Sequence, residues 1–101
     1  DLNKLLRNLF PGRGRAYEYR VVKMLENVGY TAGRSAGSHG LWDVWACDSL
    51  HFKLIQVKSG TAAMVPAERE AFMLLPTPRF VSKEIWSFSR KRGHLPTIVV
   101  V

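Results

Sequence analysis

Two short runs, Leu41–Ala46 and Leu54–Gly60, constrain the fold more than any other stretch of this chain. Both are rich in apolar, β-branched or aromatic residues and are bounded by Gly, Asp or Ser, which predicts two strands. Side chains alternate along a strand, so Gln56 and Lys58 share one face while Ile55 and Val57 share the other. Asp43 interrupts the first run, where a buried carboxylate is costly unless it is paired or bound to a metal. The connection Cys47–His51 is polar and short and predicts a hairpin. Asp48 and His51 read as solvated turn residues and Cys47 as a packing residue.

The flanking segments predict helices on this sheet. Residues 16–28 carry Val21, Val22, Leu25 and Val28 at helical spacing, with Gly29 as a C-terminal cap. Pro66 opens a second, shorter helix as its first residue. Ser82 is placed to cap a third over Lys83–Arg92, with Ile85, Trp86 and Phe88 as its apolar residues. Leu95–Val101 reads as a final strand. At the other end, Leu2, Leu5, Leu6, Leu9 and Phe10 form an apolar stripe, also at helical spacing. The reading is therefore one α/β domain over residues 1–101, with a mainly antiparallel central sheet and helices on its faces.

A chain of 101 residues, 47% hydrophobic, holds one small core, and pairing with a second copy would add to it. The single cysteine excludes an internal disulfide and, without a Cys/His cluster, argues against structural zinc. No apolar run approaches the roughly 18 residues of a membrane span and no signal-peptide pattern opens the chain, so a cytosolic protein is expected. Net charge is +7 and uneven: residues 1–34 hold seven of the fifteen Lys and Arg, and residues 69–92 hold six. Basic flanks around an acid-containing centre suit a polyanion approaching a metal site. A solubilising charge is the plainer alternative.

Several residues stand out locally. Arg13 and Arg15, among glycines after Pro11, form either a phosphate-contacting arm or a solvated turn. Counting back from Val21 and Val22 puts Glu18 on the apolar stripe. Either a nearby cation compensates it, or it sits half solvated in the first turn, favoured by the helix dipole. Residues 29–34 read as a lead-in to a Ser/Gly loop, Ser35–Gly40, which exposes backbone N–H groups that can hold phosphate, with Arg34 and Ser38 as added donors. His39 in that loop reads as a solvated residue rather than a general base.

Taken in order, residues 14–18 with Glu18, residues 23–26, Gly29-Tyr30, residues 34–38, Asp43, and Gln56-Val57-Lys58 resemble the archaeal-type Holliday junction resolvases of the PD-(D/E)XK nuclease superfamily. Residues 84–99 resemble that family's later helix and strand. The resemblance covers residues 12–60 well, 84–99 fairly and 61–83 poorly. Three departures stand out. Gln56 occupies the family's usual Glu position, although the Mrr-like branch is similar in using Gln there. Tyr19 and then Arg20 follow Glu18, where many members place Arg directly. The connection from Ser38 to Asp43 is one residue longer.

The resemblance implies a restriction-endonuclease-like core and a homodimeric, structure-selective endonuclease that cuts four-way DNA junctions with magnesium or manganese. On that basis Asp43 is the central metal ligand, Glu18 binds or orients the metal, and Gln56 offers its amide oxygen. Lys58 positions the attacking water, and Ser38 and Arg34 hold the backbone near the scissile phosphate. Arg13, Arg15, Arg90 and Lys91 complete the expected DNA contacts. The N-terminal apolar residues and Ile85–Phe88 are the expected dimer interface. Two rivals remain: an Mrr-like or nicking nuclease of the same superfamily, and a DNA-binding module that kept the fold and lost catalysis.

Overall fold

The computed structural model describes residues 13–35, with side chains from Arg15 onward, 40–60, 64–89 and 93–101. Along the chain these form α1 (Arg13–Asn27), β1 (Thr31–Arg34), β2 (Val44–Cys47), β3 (Phe52–Ser59), α2 (Pro66–Leu74), β4 (Val81–Phe88) and β5 (Thr97–Val100). Val21 and Leu25, one turn apart on α1, are fully buried, with Tyr17, Val22 and Met24 packed beside them. The helix ends as its sequence predicts. Gly29 takes φ 98°, its N–H donates to Glu26 O (3.1 Å), and Tyr30 N–H donates to Leu25 O (3.0 Å). These two bonds form a Schellman motif, and they turn the chain before Val28 can join the stripe. Val28 is accordingly 72% exposed rather than buried.

The sheet runs β1-β2-β3-β4-β5, with β3 and β4 parallel and every other neighbour pair antiparallel. The expected mixed, mainly antiparallel sheet with helices on its faces is thus observed. Parallel neighbours need a crossover, and α2 provides it. Two apolar clusters lie on opposite faces of the sheet. Ile55, Val44, Ala46, Trp86 and Phe88 pack under α1, while Leu54 and Ile85 pack with Phe72 of α2. Successive residues of β3 and β4 therefore enter different cores.

Three expectations are corrected. The segment expected as a helix over Lys83–Arg92 is strand β4 as far as Phe88. Ile85, Trp86 and Phe88 are 7%, 6% and 2% exposed inside this chain, so they do not form a dimer surface. Residues 31–34, read as a lead-in to the loop, form the edge strand β1. There Gly33 pairs with Trp45, and a Cβ at Gly33 would stand 2.8 Å from the indole ring.

The charged residues of β4 are buried but satisfied. Lys83 donates to Met73 O and Leu75 O at the C-terminal end of α2. Glu84 accepts from Lys53, from Ser82 Oγ (2.9 Å) and from Trp86 Nε1 (3.0 Å). Burial alone would raise the Glu84 pKa, but these donors outweigh it and hold the carboxyl below its ordinary value.

Phe72→Ala removes the fully buried ring of the α2-side core and is expected to cost about 3–5 kcal/mol in urea unfolding. Val28→Ala, at an exposed position between the helix end and Gly29, is expected to stay within about 0.5 kcal/mol of the parent.

Candidate active site

Asp43 stands immediately before β2 and is fixed at three points. Its N–H donates to Ile55 O and its carbonyl accepts from Ser35 N–H, both at 2.8 Å. Its side-chain Oδ2 accepts from the Val57 N–H, also at 2.8 Å. The carboxylate thus takes a ladder bond that the end of β2 leaves open, and it takes it from the residue between Gln56 and Lys58. The β2–β3 pairing ends at Val44–Ile55, one residue short of Asp43 and of Gln56. By alternation Gln56 and Lys58 lie on the α2 side with Leu54. Lys58 Nζ is 3.8 Å from Glu68 Oε2 in the first turn of α2.

Arg34 ends β1, paired with Val44, so it borders Asp43 from the other strand. Its Nε donates to Glu18 Oε1 (3.1 Å) and its Nη1 to Tyr19 Oη (3.2 Å). Its guanidinium also lies 4.6 Å over the Tyr19 ring, a cation–π contact. Because α1 begins at Arg13, Glu18 belongs to the second turn, beyond the strongest part of the helix dipole. The cation that compensates Glu18 is Arg34.

Charge at the site is finely opposed. Burial raises the Asp43 pKa, and the Val57 amide, Lys58 and Arg34 lower it; burial prevails and the carboxyl titrates above its ordinary value. For Arg34 burial disfavours the charge, but the bonds to Glu18 and Tyr19 outweigh it, and the guanidinium is held more firmly protonated than usual.

The structure brings together Asp43, Gln56 and Lys58 on one strand pair, and Glu18 with Arg34 beside them. Arg15 is exposed in the first turn of α1. The Arg13 side chain, Ser38, His39, Arg90, Lys91 and the apolar residues 2–10 lie outside the described residues. Sequence reasoning missed two participants. Tyr19 was seen only as a departure from a family pattern, and Glu68 lies in the stretch that matched poorly. The Pro66 helix start placed Glu68 in a first turn, but nothing local pointed it at Lys58.

The donor chemistry fits a hard divalent cation, which prefers oxygen ligands. Asp43 Oδ1 and the Gln56 amide accept no protein hydrogen bond among the described residues, and each residue lies one step beyond the last β2–β3 pair. Asp43 is also a desolvated anion that a cation would relieve. Glu18 fits only if it leaves Arg34. Among the described residues, no three of His, Cys, Asp or Glu are grouped closely enough to hold a metal.

No family model matches the chain. No curated protein matches it. Among solved structures it is similar to Hjc from Archaeoglobus fulgidus, a Holliday junction resolvase from an archaeal hyperthermophile. The TM-score is 0.65 at 16% sequence identity, over 88% of this chain and 84% of that one. At that identity the likeness establishes a shared fold.

The raised Asp43 pKa carries a sign. An acid that titrates higher when folded destabilises the fold while ionised, fully above its folded value and not at all below the ordinary value of 3.8. Asp43→Asn keeps an oxygen for the Val57 N–H and removes the charge. In chelator-containing buffer it is expected to have a higher urea midpoint than the parent at pH 7, and the gap is expected to close as pH falls to about 3.8.

Proposed function

We propose that this chain is a metal-dependent endonuclease that hydrolyses phosphodiester bonds in four-way DNA junctions and works as a homodimer. One observation carries the reading. The Asp43 carboxylate is bonded to the backbone N–H between Gln56 and Lys58, so the residues that carry an acid, an amide and an ammonium meet at one end of the strand pair. The fold shared with a Holliday junction resolvase supports the substrate class. The +7 net charge supports a polyanionic partner.

In this reading Asp43 and Gln56 hold magnesium or manganese, with Glu18 as a further carboxylate. The bound cation supplies Lewis acidity, lowering the pKa of a water and offsetting charge at the phosphate. The chain's own residues orient the reactants. Lys58 exchanges its half-exposed partner Glu68 for a phosphate oxygen and directs the attacking water. Arg34 presents its free N–H groups to the backbone, joined by Ser38 and by Arg13, Arg15, Arg90 and Lys91. Asp43, locked at three points, would hold that cation beside β3.

A resolvase makes two opposed cuts, and a two-fold pair presents two identical sites in opposed orientation. With Ile85, Trp86 and Phe88 buried inside the fold, the contact falls to other surfaces. Met73, Leu74 and Phe80 are at least half exposed and apolar.

A second reading, a DNA-binding module without catalysis, is favoured by neutral Gln56 and by the engagement of Glu18 with Arg34. Cleavage of an end-labelled four-way junction, against plain duplex and flap, separates these readings. Magnesium-dependent, junction-selective cutting is expected. Lys58→Ala is expected to abolish it while junction affinity changes little. Cutting of all substrates alike would favour an Mrr-like or nicking enzyme, and no cutting by the parent would favour the binding module.

Titrating magnesium against cleavage tests Gln56. Gln56→Glu is expected to need the least metal, the parent more, and Gln56→Leu the most. Superimposable parent and Gln56→Leu curves would eliminate Gln56 as a ligand. In sedimentation at micromolar concentration a dimer is expected; a strict monomer, free and on DNA, would exclude paired cutting.

A further inference from the structure

Arg34 is bonded to one of the carboxylates assigned to the metal and lies in the field of another. Two of its five N–H groups are committed to α1, one to Glu18 Oε1 (3.1 Å) and one to Tyr19 Oη (3.2 Å). Its plane rests on the Tyr19 ring, and its strand position beside Val44 keeps it next to Asp43. The Glu18–Arg34 pair is mostly shielded, with 19% and 24% of the two side chains exposed, so solvent weakens it less than a surface pair. A guanidinium is also the cation whose fork fits carboxylate and phosphate equally well, which makes one exchangeable for the other.

We propose that Arg34 is an autoinhibitory cation. It occupies Glu18 and repels a divalent ion from Asp43 until a DNA phosphate draws it away, so that metal and junction bind with positive coupling. This rests on the metal-site reading above. In the free protein the guanidinium does part of the charge compensation that the metal would do. When a phosphate takes the guanidinium, Glu18 loses its partner and becomes a ligand for the metal, and the positive charge near Asp43 acquires a counterion. DNA is then both substrate and activator, and free protein carries little metal. Tyr19 is the positioning residue in this scheme, holding the guanidinium by ring and hydroxyl.

The test measures Mn2+ binding directly, by the electron paramagnetic resonance of unbound Mn2+, with no DNA present. Arg34→Gln is expected to bind Mn2+ more tightly than the parent by roughly 5- to 150-fold, the usual range of coupling between sites. Adding Glu18→Gln to it is expected to remove the part of that gain that Glu18 supplies and to leave the part that comes from relieved repulsion at Asp43. Tyr19→Phe, which keeps the ring, is expected to show a smaller gain. A second measurement needs no change at Arg34: a four-way junction added to Lys58→Ala protein, which keeps the junction whole, is expected to tighten Mn2+ binding. By linkage Mn2+ must then tighten junction binding by the same factor.

Equal Mn2+ affinities of parent and Arg34→Gln, with loss of binding in Asp43→Asn, would overturn the autoinhibitory role and leave the metal site standing. No junction effect on Mn2+ affinity would overturn it as well. Mn2+ binding indifferent to Asp43→Asn in every background would overturn the metal-site reading and this inference with it.

Discussion

Eight residues of β3 run parallel to eight of β4, and this pairing sets the terms for the rest of the chain. Parallel strands cannot be closed by a tight turn, so the connection crosses one face as α2 while α1 covers the other. Both faces of the central pair are then withdrawn from water. Leu54 and Ile55, adjacent in sequence, are both buried because each belongs to a different core. Burial eases from Gln56 onward, so the C-terminal half of β3 emerges at the margin of the double cover. Crevices at the carboxyl ends of strands are where α/β sheets commonly place ligand chemistry. Gln56 and Lys58 stand in that half.

The same constraint explains what sequence could and could not reveal. The β2–β3 hairpin, the Gly29 cap, the Pro66 helix start and strand β5 were legible because each is written in a local signal. Strand β4 was not. A strand covered on both faces loses its polar–apolar alternation, and Lys83 and Glu84 ahead of Ile85, Trp86 and Phe88 imitate an amphipathic helix. Their charges are tolerated because of partners that sequence does not show: the last carbonyls of α2 for Lys83, and Lys53, 31 residues away, for Glu84. Strand β1 was missed for a related reason. Its glycine reads as loop until Trp45 is seen lying across it.

At the site, strand spacing put Gln56 and Lys58 on one face and marked Asp43 as an unusual carboxylate, and only the family resemblance joined the three. Their convergence depends on one bond that spacing cannot supply, the Val57 amide to the Asp43 side chain. The compensation of Glu18 was legible only as a choice between solvent and an unnamed cation. Arg34 decides it, and it does so across 16 residues of sequence. Glu68 was invisible because its role is tertiary: α2 must fold and cross the sheet before its first turn meets Lys58.

The charges of the site also explain why a neutral Gln56 is tolerable in the proposed reading. Two cations, Arg34 and Lys58, act on Asp43, and each has its own carboxylate, Glu18 on α1 and Glu68 on α2. A glutamate at position 56 would add a second anion on the strand that Asp43 is bonded to, where burial already holds Asp43 above its ordinary pKa. Neighbouring like charges raise each other's pKa and cost stability. Glutamine keeps the oxygen and omits the charge. The cost falls on metal affinity, because a neutral amide attracts a hard cation less than a carboxylate does. The missing charge must then come from Glu18, which makes the state of the Glu18–Arg34 pair, rather than residue 56, the determinant of when the site accepts a metal.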